Sequence, residues 1–342
     1  MTAADDTALT HRLLELAQGY RITQLLAIAA RLELAERLAD GPHDTSELAI
    51  AASVHEPSLF RLLRALACLG IVTRVADRRF AVTPLGERLA ARHHASARAR
   101  VLHHAEALYG RWADLMASIR TGQNFFERRH GTDAWTHRTR SGTGDGERFD
   151  DAMQESSAQR ARAIVAAYDF SSFGTVVDVG GGRGSLLADI LAAYPNVRGV
   201  LFDQTHVVTA APVILEAAGV ADRCRVVGGS FFDGVPEGGD VYLLSVIIHD
   251  WDDDPAVKIL EHCRRAMAAS GRLLLVERVF DPDADNALWT ALWDLQMMHG
   301  LSGRERSEAE FRALLARAGF ALARIVPLRE VAIIEARPDA GA

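Results

Sequence analysis

A glycine-rich segment carries the most specific chemistry in this sequence. The run DVGGGRG, from Asp178 to Gly184, follows an apolar stretch that predicts a strand and precedes a stretch that predicts a helix. It is not a dinucleotide fingerprint, because the sixth residue of that motif would be Ser185 if it began at Gly180 and Leu187 if it began at Gly182, where glycine or alanine is required. No Gly-Lys-Ser/Thr follows to complete a P-loop. The bare backbone instead allows close approach of a ligand, and Asp178 supplies a negative charge suited to a cationic one.

A second acidic residue stands where such a loop could use it. Asp203 ends the next predicted strand, at position 203 against 180 for the first loop glycine, a separation of 23 residues. A carboxylate at this point of a strand–loop–helix unit can accept hydrogen bonds from both hydroxyls of a ribose. The two signals together predict a site for an adenosine-containing ligand. The alternative is a tight strand–helix turn without a ligand.

The elements that would position these residues alternate from about Ser171 onward. Short β-branched runs predict strands at Thr175 to Val179, Val200 to Phe202, Arg225 to Val227, Val241 to Ile248, Arg272 to Glu277, Leu322 to Val326 and Val331 to Ala336. Helical spacing predicts helices at Ser185 to Ala193, Val207 to Ala218, Pro255 to Ala269 and Ser307 to Ala318. This order predicts an α/β, doubly wound, mostly parallel sheet that binds ligands at the carboxyl ends of its strands.

The first third of the chain predicts a different module. Two amphipathic helices between His11 and about Leu38 precede a helix that ends near Ala52, a helix from Pro57 to Leu69, and two short alternating strands. This is the pattern of a winged helix, which binds either DNA or protein. The helix from Pro57 is mostly apolar and its cations are only Arg61 and Arg64, so a protein–protein module is favoured over a DNA reader.

A helical stretch from about Ser96 to Val165 contains many aromatic residues, including Trp112 and Trp135. They either pack a core or line an aromatic pocket beside the cofactor domain. The histidines of this region do not show a metal-ligand spacing, because adjacent residues cannot share one helix face.

Composition removes several classes of protein. The chain has 342 residues, 38 Lys and Arg against 45 Asp and Glu, and a formal net charge of −7, which gives no global footprint for nucleic acid or anionic membrane. Three scattered cysteines exclude a disulfide framework and favour a reducing cytosol. We therefore expect a cytoplasmic protein without a membrane span, a signal peptide or a bound metal.

Six motifs together resemble one known group. They are VVDVGGGRGSLL, LFDQ with Asp203, GGSFF, LLSVIIHDWDDDPAVKIL, GRLLLVERV and GRERSEAEF. In order and spacing they are similar to the S-adenosylmethionine-dependent small-molecule O-methyltransferases of the caffeic-acid type, whose bacterial members act in polyketide and antibiotic tailoring. The resemblance covers nearly the whole chain and is specific for the family, not for the substrate.

The resemblance implies an architecture and a cofactor. The fold would be a Rossmann-like methyltransferase sheet with an N-terminal, mostly helical, winged-helix dimerisation domain. We expect the dimerisation domain over residues 1–95, a helical linker that contributes to the substrate pocket over 96–165, and the catalytic domain over 166–342. The cofactor would be S-adenosyl-L-methionine, and the protein a homodimer.

Several residues match family positions that bind this cofactor. Gly180 and Gly182 would contact its methionine part, and Asp203 would hold the ribose. Ser230, where the family often has Asp, and Phe231 would flank the adenine. Three further expected contacts are Ser245, where plant members carry Lys, and the pair Met153 and Ser157, which would bridge cofactor and substrate.

A methyl acceptor must lose its proton, and His249 is the candidate base. A phenol has a pKa near 10, whereas an imidazole at its ordinary pKa of about 6.5 is mostly neutral at pH 7 and able to accept. His249 follows the apolar strand at the end where the cleft should lie. By resemblance, Glu277 and Glu305 flank it, and a carboxylate on one ring nitrogen would fix the tautomer. The alternative is a structural histidine with two glutamates in surface ion pairs.

The remaining predictions concern the acceptor and a metal. Asp250 follows the base, and Trp293, Met297 and Met298 lie where the family bounds the acceptor pocket, although ordinary core packing is an open alternative. The run from Asp252 to Asp254 could suggest magnesium, but Pro255 follows, so it predicts the capped start of a helix.

The function that these expectations favour is methylation of a phenolic hydroxyl on a small aromatic, polyketide-like metabolite. Two alternatives remain open at this point. One is a relative that binds the same cofactor for hydroxylation or decarboxylation. The other is a DNA-binding regulator.

Overall fold

The computed structural model describes residues 3–140 and 145–339, and the chain divides into two compact units. The first unit comprises residues 1–113 and 143–156, and the second comprises residues 114–142 and 157–342. The helix Asp145–Ala167 contributes to both. Among the described residues, no helix is both long enough and apolar enough to cross a membrane. The division into 1–95, 96–165 and 166–342 stays a prediction.

The first unit is mostly helical, with a small sheet of order β1-β3-β2. Its strands are β1 (His43–Asp44), β2 (Val72–Ala76) and β3 (Arg79–Val82). Its α-helices are Ala3–Ala17, Gly19–Arg31, Leu34–Arg37, Thr45–Ala52, Glu56–Cys68, Arg98–His103 and Tyr109–Trp112, with a 3₁₀ turn at Gly86–Leu89 and a π-helical turn at His104–Leu108.

Local chemistry explains the winged-helix portion of this unit. Asp44 and Glu47 form a capping box that starts the helix Thr45–Ala52. Gly70, with φ +71°, ends the helix Glu56–Cys68 in a conformation that a glycine adopts without strain. The predicted helix–turn–helix and two-stranded wing are confirmed. The two helices predicted between His11 and Leu38 are three, because Glu33 at φ +51° interrupts the second.

The second unit contains a seven-stranded sheet of order β6-β5-β4-β7-β8-β10-β9. Its strands are β4 (Thr175–Val179), β5 (Arg198–Asp203), β6 (Cys224–Gly228), β7 (Val241–Ser245), β8 (Arg272–Glu277), β9 (Phe320–Pro327) and β10 (Ala332–Pro338). The first five strands in this order pair in parallel, and β10 pairs antiparallel with both β8 and β9. The predicted Rossmann-like fold class is confirmed.

Helices pack on both faces of this sheet, Ser185–Ala193 and Ala211–Ala217 in one core and Asp253–Ala266 and Glu308–Arg317 in the other. The helices of the unit are Leu115–Thr121, Phe125–His130, Ala134–Arg140, Ser185–Ala193, Thr205–Val208, Ala211–Ala217, Asp253–Ala266, Ala287–Leu301 and Glu308–Arg317, with 3₁₀ turns at Ala221–Arg223 and Ile248–Asp250. Val176 packs into the core on one face, while Val177 and Val179 pack into the core on the other, as the strand period of two requires. The single helix predicted over Val207 to Ala218 is in fact two, and Pro212 lies in the first turn of the second.

One strand boundary is wrong in a way that matters for the site. The strand predicted from Val241 to Ile248 ends at Ser245, and a 3₁₀ turn follows at Ile248–Asp250. The amides of Ile247 and Ile248 do not continue the ladder, because they donate to the carboxylate of Glu277, 29 or 30 residues further along the chain. A local apolar pattern carries no information about such a distant partner.

Candidate active site

Three adjacent strands bring the predicted site residues to one edge of the sheet. Parallel pairing aligns Asp178 in β4 with Leu243 in β7, and Ser245 in β7 with Val276 in β8. The order of connection reverses between β4 and β7, and open α/β sheets bind their ligands in the crevice at such a point. The glycine-rich loop and the turn that carries His249 both start from this edge.

The glycine-rich loop follows β4 and needs its glycines for conformation and for space. Gly180, Gly182 and Gly184 have φ of +72°, +61° and +87°. A Cβ at Gly180 would lie 2.5 Å from Cδ1 of Ile247, whereas one at Gly182 would meet no heavy atom within 4 Å. The Gly182 amide donates to Oδ2 of Asp203 at 2.8 Å. The loop therefore packs closely against the turn after β7 at Gly180. At Gly182, where the loop is open, it is bonded to Asp203, the residue predicted to bind the ribose.

Asp178 lies beneath this loop with its charge unmatched by hydrogen bonds. The residue is 1% exposed, and neither carboxylate oxygen has a hydrogen-bond partner within the described part of the chain. Burial, with a smaller contribution from Asp203, raises the pKa of Asp178 to about 7. The buried Oγ of Ser245 also lacks such a partner. These groups fit S-adenosylmethionine, whose sulfonium and amino groups are cationic and whose amino acid part offers hydrogen bonds.

The other residues predicted to bind the cofactor are Ser230, Phe231, Met153 and Ser157, and they do not all belong to the same unit. The Oγ of Ser230 accepts a hydrogen bond from the Phe232 amide at 3.2 Å. The ring of Phe231 meets Trp251 edge-on at 6.0 Å between centroids. Ser157 belongs to the second unit and Met153 to the first, and the roles of both stay predictions.

The catalytic turn, residues 246–251, follows β7 and is shaped by distant groups. Val246 has φ +53°, a strained conformation for a β-branched residue. Oε1 of Glu277 then accepts hydrogen bonds from the amides of Ile247, Ile248 and His249 at 3.0, 2.7 and 3.4 Å. Glu277 therefore anchors the backbone of the turn through one oxygen and faces His249 with the other.

Carboxylates surround the imidazole of His249, which is 6% exposed. Its Nδ1 lies 2.9 Å from Oε1 of Glu305 and 3.8 Å from Oε2 of Glu277, and its Nε2 lies 3.4 Å from Oδ1 of Asp250. Arg278 is 3.6 Å from Glu305. The structure thus brings together all three residues predicted as catalytic, with Nδ1 held by Glu305 and Nε2 on the side of Asp250.

The charge of this cluster changes the expected state of the base. Burial lowers the pKa of His249, but Glu305, Glu277 and Asp250 together outweigh that effect and raise it to about 9. Burial also raises the pKa of Asp250 to about 7, although His249 opposes the shift, and raises that of Glu277. The expectation of a mostly neutral imidazole at pH 7 is therefore wrong. The free imidazole is a stronger base than an ordinary histidine, but it is a minority form at neutral pH.

Two groups of aromatic residues lie beside the cluster within the second unit. Trp135 stacks on Trp251 at 6.4 Å between centroids, and the guanidinium of Arg138 lies 4.8 Å from the Trp135 ring. Arg278 lies 4.5 Å from the Trp293 ring.

The other predicted acceptor residues are spread over both units. Met297 is buried and Met298 half-buried in the helix Ala287–Leu301, whereas Trp112 belongs to the first unit. The acceptor roles of the whole set, Asp250 included, stay predictions.

Sequence reasoning missed the residues that support the catalytic turn. Arg306 is fully buried and donates to the backbone carbonyls of Ile248 and Trp251. Asp294 accepts a hydrogen bond from the Glu305 amide at 2.9 Å. The motif GRERSE contains Arg306, but its neighbours in the sequence do not indicate that this arginine is buried or that it bonds to the turn. The predicted helix cap is confirmed, because Asp252 accepts from the Asp253 amide at the start of Asp253–Ala266.

The same cluster also has the donor set of a metal site. One ligand atom from each of His249, Glu277 and Glu305 lies within 4.8 Å of the others. The absence of a metal requirement, expected from the sequence, thus stays a prediction that a chelator can test.

Comparison with known proteins identifies the two parts of the chain. Residues 112–321 match the family model of the O-methyltransferase domain, and residues 14–92 match that of the O-methyltransferase dimerisation domain. The chain is 42% identical over 327 residues to phenazine O-methyltransferase PhzM of Lysobacter antibioticus, with 95% of each chain covered. It is 39% identical over 338 residues to O-demethylpuromycin-O-methyltransferase of Streptomyces alboniger, covering 96% of this chain and 89% of that one.

A solved structure extends the likeness to the cofactor. The O-methyltransferase NcsB1 from neocarzinostatin biosynthesis, in complex with S-adenosylmethionine and 2-hydroxy-5-methyl naphthoic acid, superposes with a TM-score of 0.76 at 35% identity. The match covers 93% of this chain and 96% of that chain. The present chain belongs to the family of S-adenosylmethionine-dependent O-methyltransferases that combine this catalytic domain with an N-terminal dimerisation domain.

Proposed function

We propose that this protein methylates a phenolic hydroxyl of an aromatic, polyketide-like secondary metabolite, with His249 as the general base. The observation that carries the proposal is the buried contact of 2.9 Å between Nδ1 of His249 and Glu305, at the carboxyl edge of the parallel sheet. A histidine held in this way has one ring nitrogen oriented by a carboxylate and the other left to exchange a proton.

The residues of the cluster have separate tasks in this mechanism. S-adenosylmethionine supplies an electrophilic methyl group on a sulfonium. Nε2 of His249 takes the hydroxyl proton of the acceptor, and Glu305 stabilises the imidazolium through Nδ1. Asp250, 3.4 Å from Nε2, provides a second carboxylate that stabilises the imidazolium. Glu277 fixes the turn so that the imidazole keeps its place.

The relatives support the aromatic class of the acceptor. The two curated relatives are named for a phenazine and for O-demethylpuromycin, and the solved neighbour holds a hydroxy naphthoic acid. In this chain, the stacked pair Trp135 and Trp251 provides flat apolar surface beside Asp250, which suits a flat acceptor.

The first unit supports a homodimer. In a single copy of the chain, several large apolar side chains of its first two helices are exposed to solvent. Those with at least 45% exposure are Leu9, Leu13, Leu14, Leu16, Tyr20 and Ile22. The dimerisation-domain model matches residues 14–92, which include four of these six residues. Light scattering of the full chain should give twice the monomer mass, and a monomeric mass would contradict a homodimer.

The test of the function combines binding with turnover. Calorimetric titration with S-adenosylmethionine and S-adenosylhomocysteine, with chelator present, should show binding of both, and a panel of hydroxylated arenes should yield methylated products. His249→Ala should bind the cofactor normally and lose turnover by on the order of 10²–10⁴-fold, the usual contribution of a general base. His262→Ala, on the helix Asp253–Ala266, is the matched control and should keep wild-type turnover.

Each other outcome points to a different role. Full turnover of His249→Ala would overturn the base assignment. Loss of turnover after chelation, restored by a divalent metal, would assign the His249, Glu277 and Glu305 cluster to a metal. Cofactor binding with an oxidised or decarboxylated product would favour the non-methylating alternative, and binding of DNA at low salt would favour the regulator.

A further inference from the structure

The turn that carries His249 is tied down by one buried arginine from a distant part of the chain. The Arg306 side chain is 0% exposed. Its Nη1 donates to the carbonyl of Ile248 at 3.2 Å and its Nη2 to the carbonyl of Trp251 at 2.9 Å. These two carbonyls flank His249 on either side, so Arg306 fixes the stretch of backbone from which the imidazole projects.

A charged group in this position needs a counterion, and Asp253 provides it. Nε and Nη2 of Arg306 donate to Oδ1 of Asp253 at 3.0 and 2.8 Å. Burial favours a higher pKa for Asp253, but the hydrogen bond and charge of Arg306, together with the charges of Arg304 and Arg317, outweigh it and lower the pKa. One planar guanidinium thus joins two carbonyls and a carboxylate through three separate nitrogens, an arrangement that a lysine ammonium, with all its donors on one nitrogen, does not reproduce.

The segment on which Arg306 lies supports the same turn in two further ways. The Arg304 amide donates to the carbonyl of His249 at 2.9 Å, and a Cβ at Gly303 would lie 2.0 Å from that oxygen. Glu305 holds Nδ1 of the imidazole. Residues 303–306 therefore contact the backbone and the side chain of His249 together, and the amide of Phe280 anchors them through the Arg306 carbonyl at 2.9 Å.

We propose that Arg306, with its counterion Asp253, is a positioning residue for the reaction: it sets where the imidazole of His249 lies relative to the acceptor. The inference rests on the proposed role of His249 as the base. Arg306 itself contacts neither cofactor nor acceptor in this role. Reaction rates fall steeply with small misplacements of a catalytic group, so the effect belongs in turnover and not in cofactor binding.

Two substitutions and a matched control test the proposal. Arg306→Lys keeps the charge but loses the planar fork of donors. Asp253→Asn removes the charge of the counterion, and the Asp253 side chain is 42% exposed. Asp254→Asn removes the neighbouring carboxylate, which is 90% exposed and pairs with Arg317 instead. Asp253 and Asp254 both lie in the first turn of one helix, so the control variant loses the same negative charge at the same helix terminus.

The measured quantity is kcat per cofactor-binding site, with sites counted by titration calorimetry so that unfolded protein does not contribute. We expect kcat to fall on the order of 10-fold for Arg306→Lys and several-fold for Asp253→Asn, with an unchanged Kd for S-adenosylmethionine. Asp254→Asn should equal the wild type. If Arg306→Lys does not fold, Asp253→Asn against Asp254→Asn decides.

Two results would overturn the proposal. One is a lowered melting temperature with unchanged kcat per binding site, which would show a purely structural pair. The other is an equal effect of Asp253→Asn and Asp254→Asn. His249→Ala, measured in parallel, separates the two levels: if it keeps turnover the proposed base fails, and if it alone loses turnover only the positioning role fails.

Discussion

The glycine-rich loop after β4 and the catalytic turn after β7 start at the same sheet edge, but different forces shape them. The loop takes its conformation from its own residues, since Gly180, Gly182 and Gly184 all have positive φ. The catalytic turn takes its conformation from elsewhere, because Glu277 holds its amides and Arg306 its carbonyls. It even places a valine, Val246, at φ +53°. A ligand-binding loop can thus be encoded locally, whereas this catalytic group is located by tertiary contacts.

Among the tests of this contrast, removing the carboxylate that orients the imidazole should change kcat the most. Glu305→Gln keeps the shape of the side chain but loses the charge that stabilises the imidazolium. We expect kcat to fall on the order of 10–100-fold, as when outer partners of other functional histidines are removed, with unchanged cofactor affinity in calorimetry. Glu308→Gln, an exposed residue three positions on, is the control. Wild-type kcat for Glu305→Gln would show that His249 needs no distant partner.

The pH dependence of turnover should report the same partners. Glu305, Glu277 and Asp250 face the imidazole, and Arg278 lies beside Glu305. The charges of the three carboxylates together raise the pKa of His249 to about 9. The unprotonated base therefore accumulates as pH rises toward 9, and kcat/KM should increase from pH 7 to pH 9. In Glu305→Gln the midpoint should move to lower pH, because a negative neighbour that favours the imidazolium is gone. A profile already flat at pH 7 would contradict a raised pKa.

A methyl group added to the loop should disturb the cofactor more than the base. In Gly180→Ala the new Cβ would lie 2.5 Å from Ile247 at φ +72°, so the loop or the turn must shift. Strain of this kind costs about 1–3 kcal/mol, and we expect the Kd for S-adenosylmethionine to rise on the order of 10-fold. Gly219→Ala, at φ +68° with nothing within 4 Å of its Cβ, carries the conformational cost without the contact and should bind normally. Equal Kd values for the two variants would refute the close packing of loop and turn.

The smallest expected effect concerns the strained valine. Both Val246→Ala and Val246→Gly lose the packing of the side chain, but only the glycine also relieves the positive φ. The glycine variant should therefore be more stable than the alanine variant by about 1 kcal/mol, the reverse of their usual order. Denaturant unfolding measures the difference. A less stable glycine variant would show that the turn does not strain Val246.

Sequence by itself determined the parts of this protein that depend on neighbouring residues. Periodicity and glycine placement predicted the boundaries of β4, β8 and the helix Ser185–Ala193 to the residue, and the six motifs predicted the family. The glycine loop was also predictable, since glycine adopts its positive φ values without strain. The apolar run from Val241 was extended too far, because nothing in its pattern indicates that Glu277 captures the amides after Ser245.

Only the tertiary structure decided how the base is held. His249 and Glu305 are separated by 56 residues and Arg306 and Asp253 by 53, and no local pattern relates residues at such distances. The raised pKa of His249 follows from the same convergence, because each carboxylate acts through space and burial strengthens its field. The residue types that do the chemistry are therefore visible in the sequence. Their protonation and position are set by tertiary contacts between the carboxyl ends of β7 and β8 and residues 303–306.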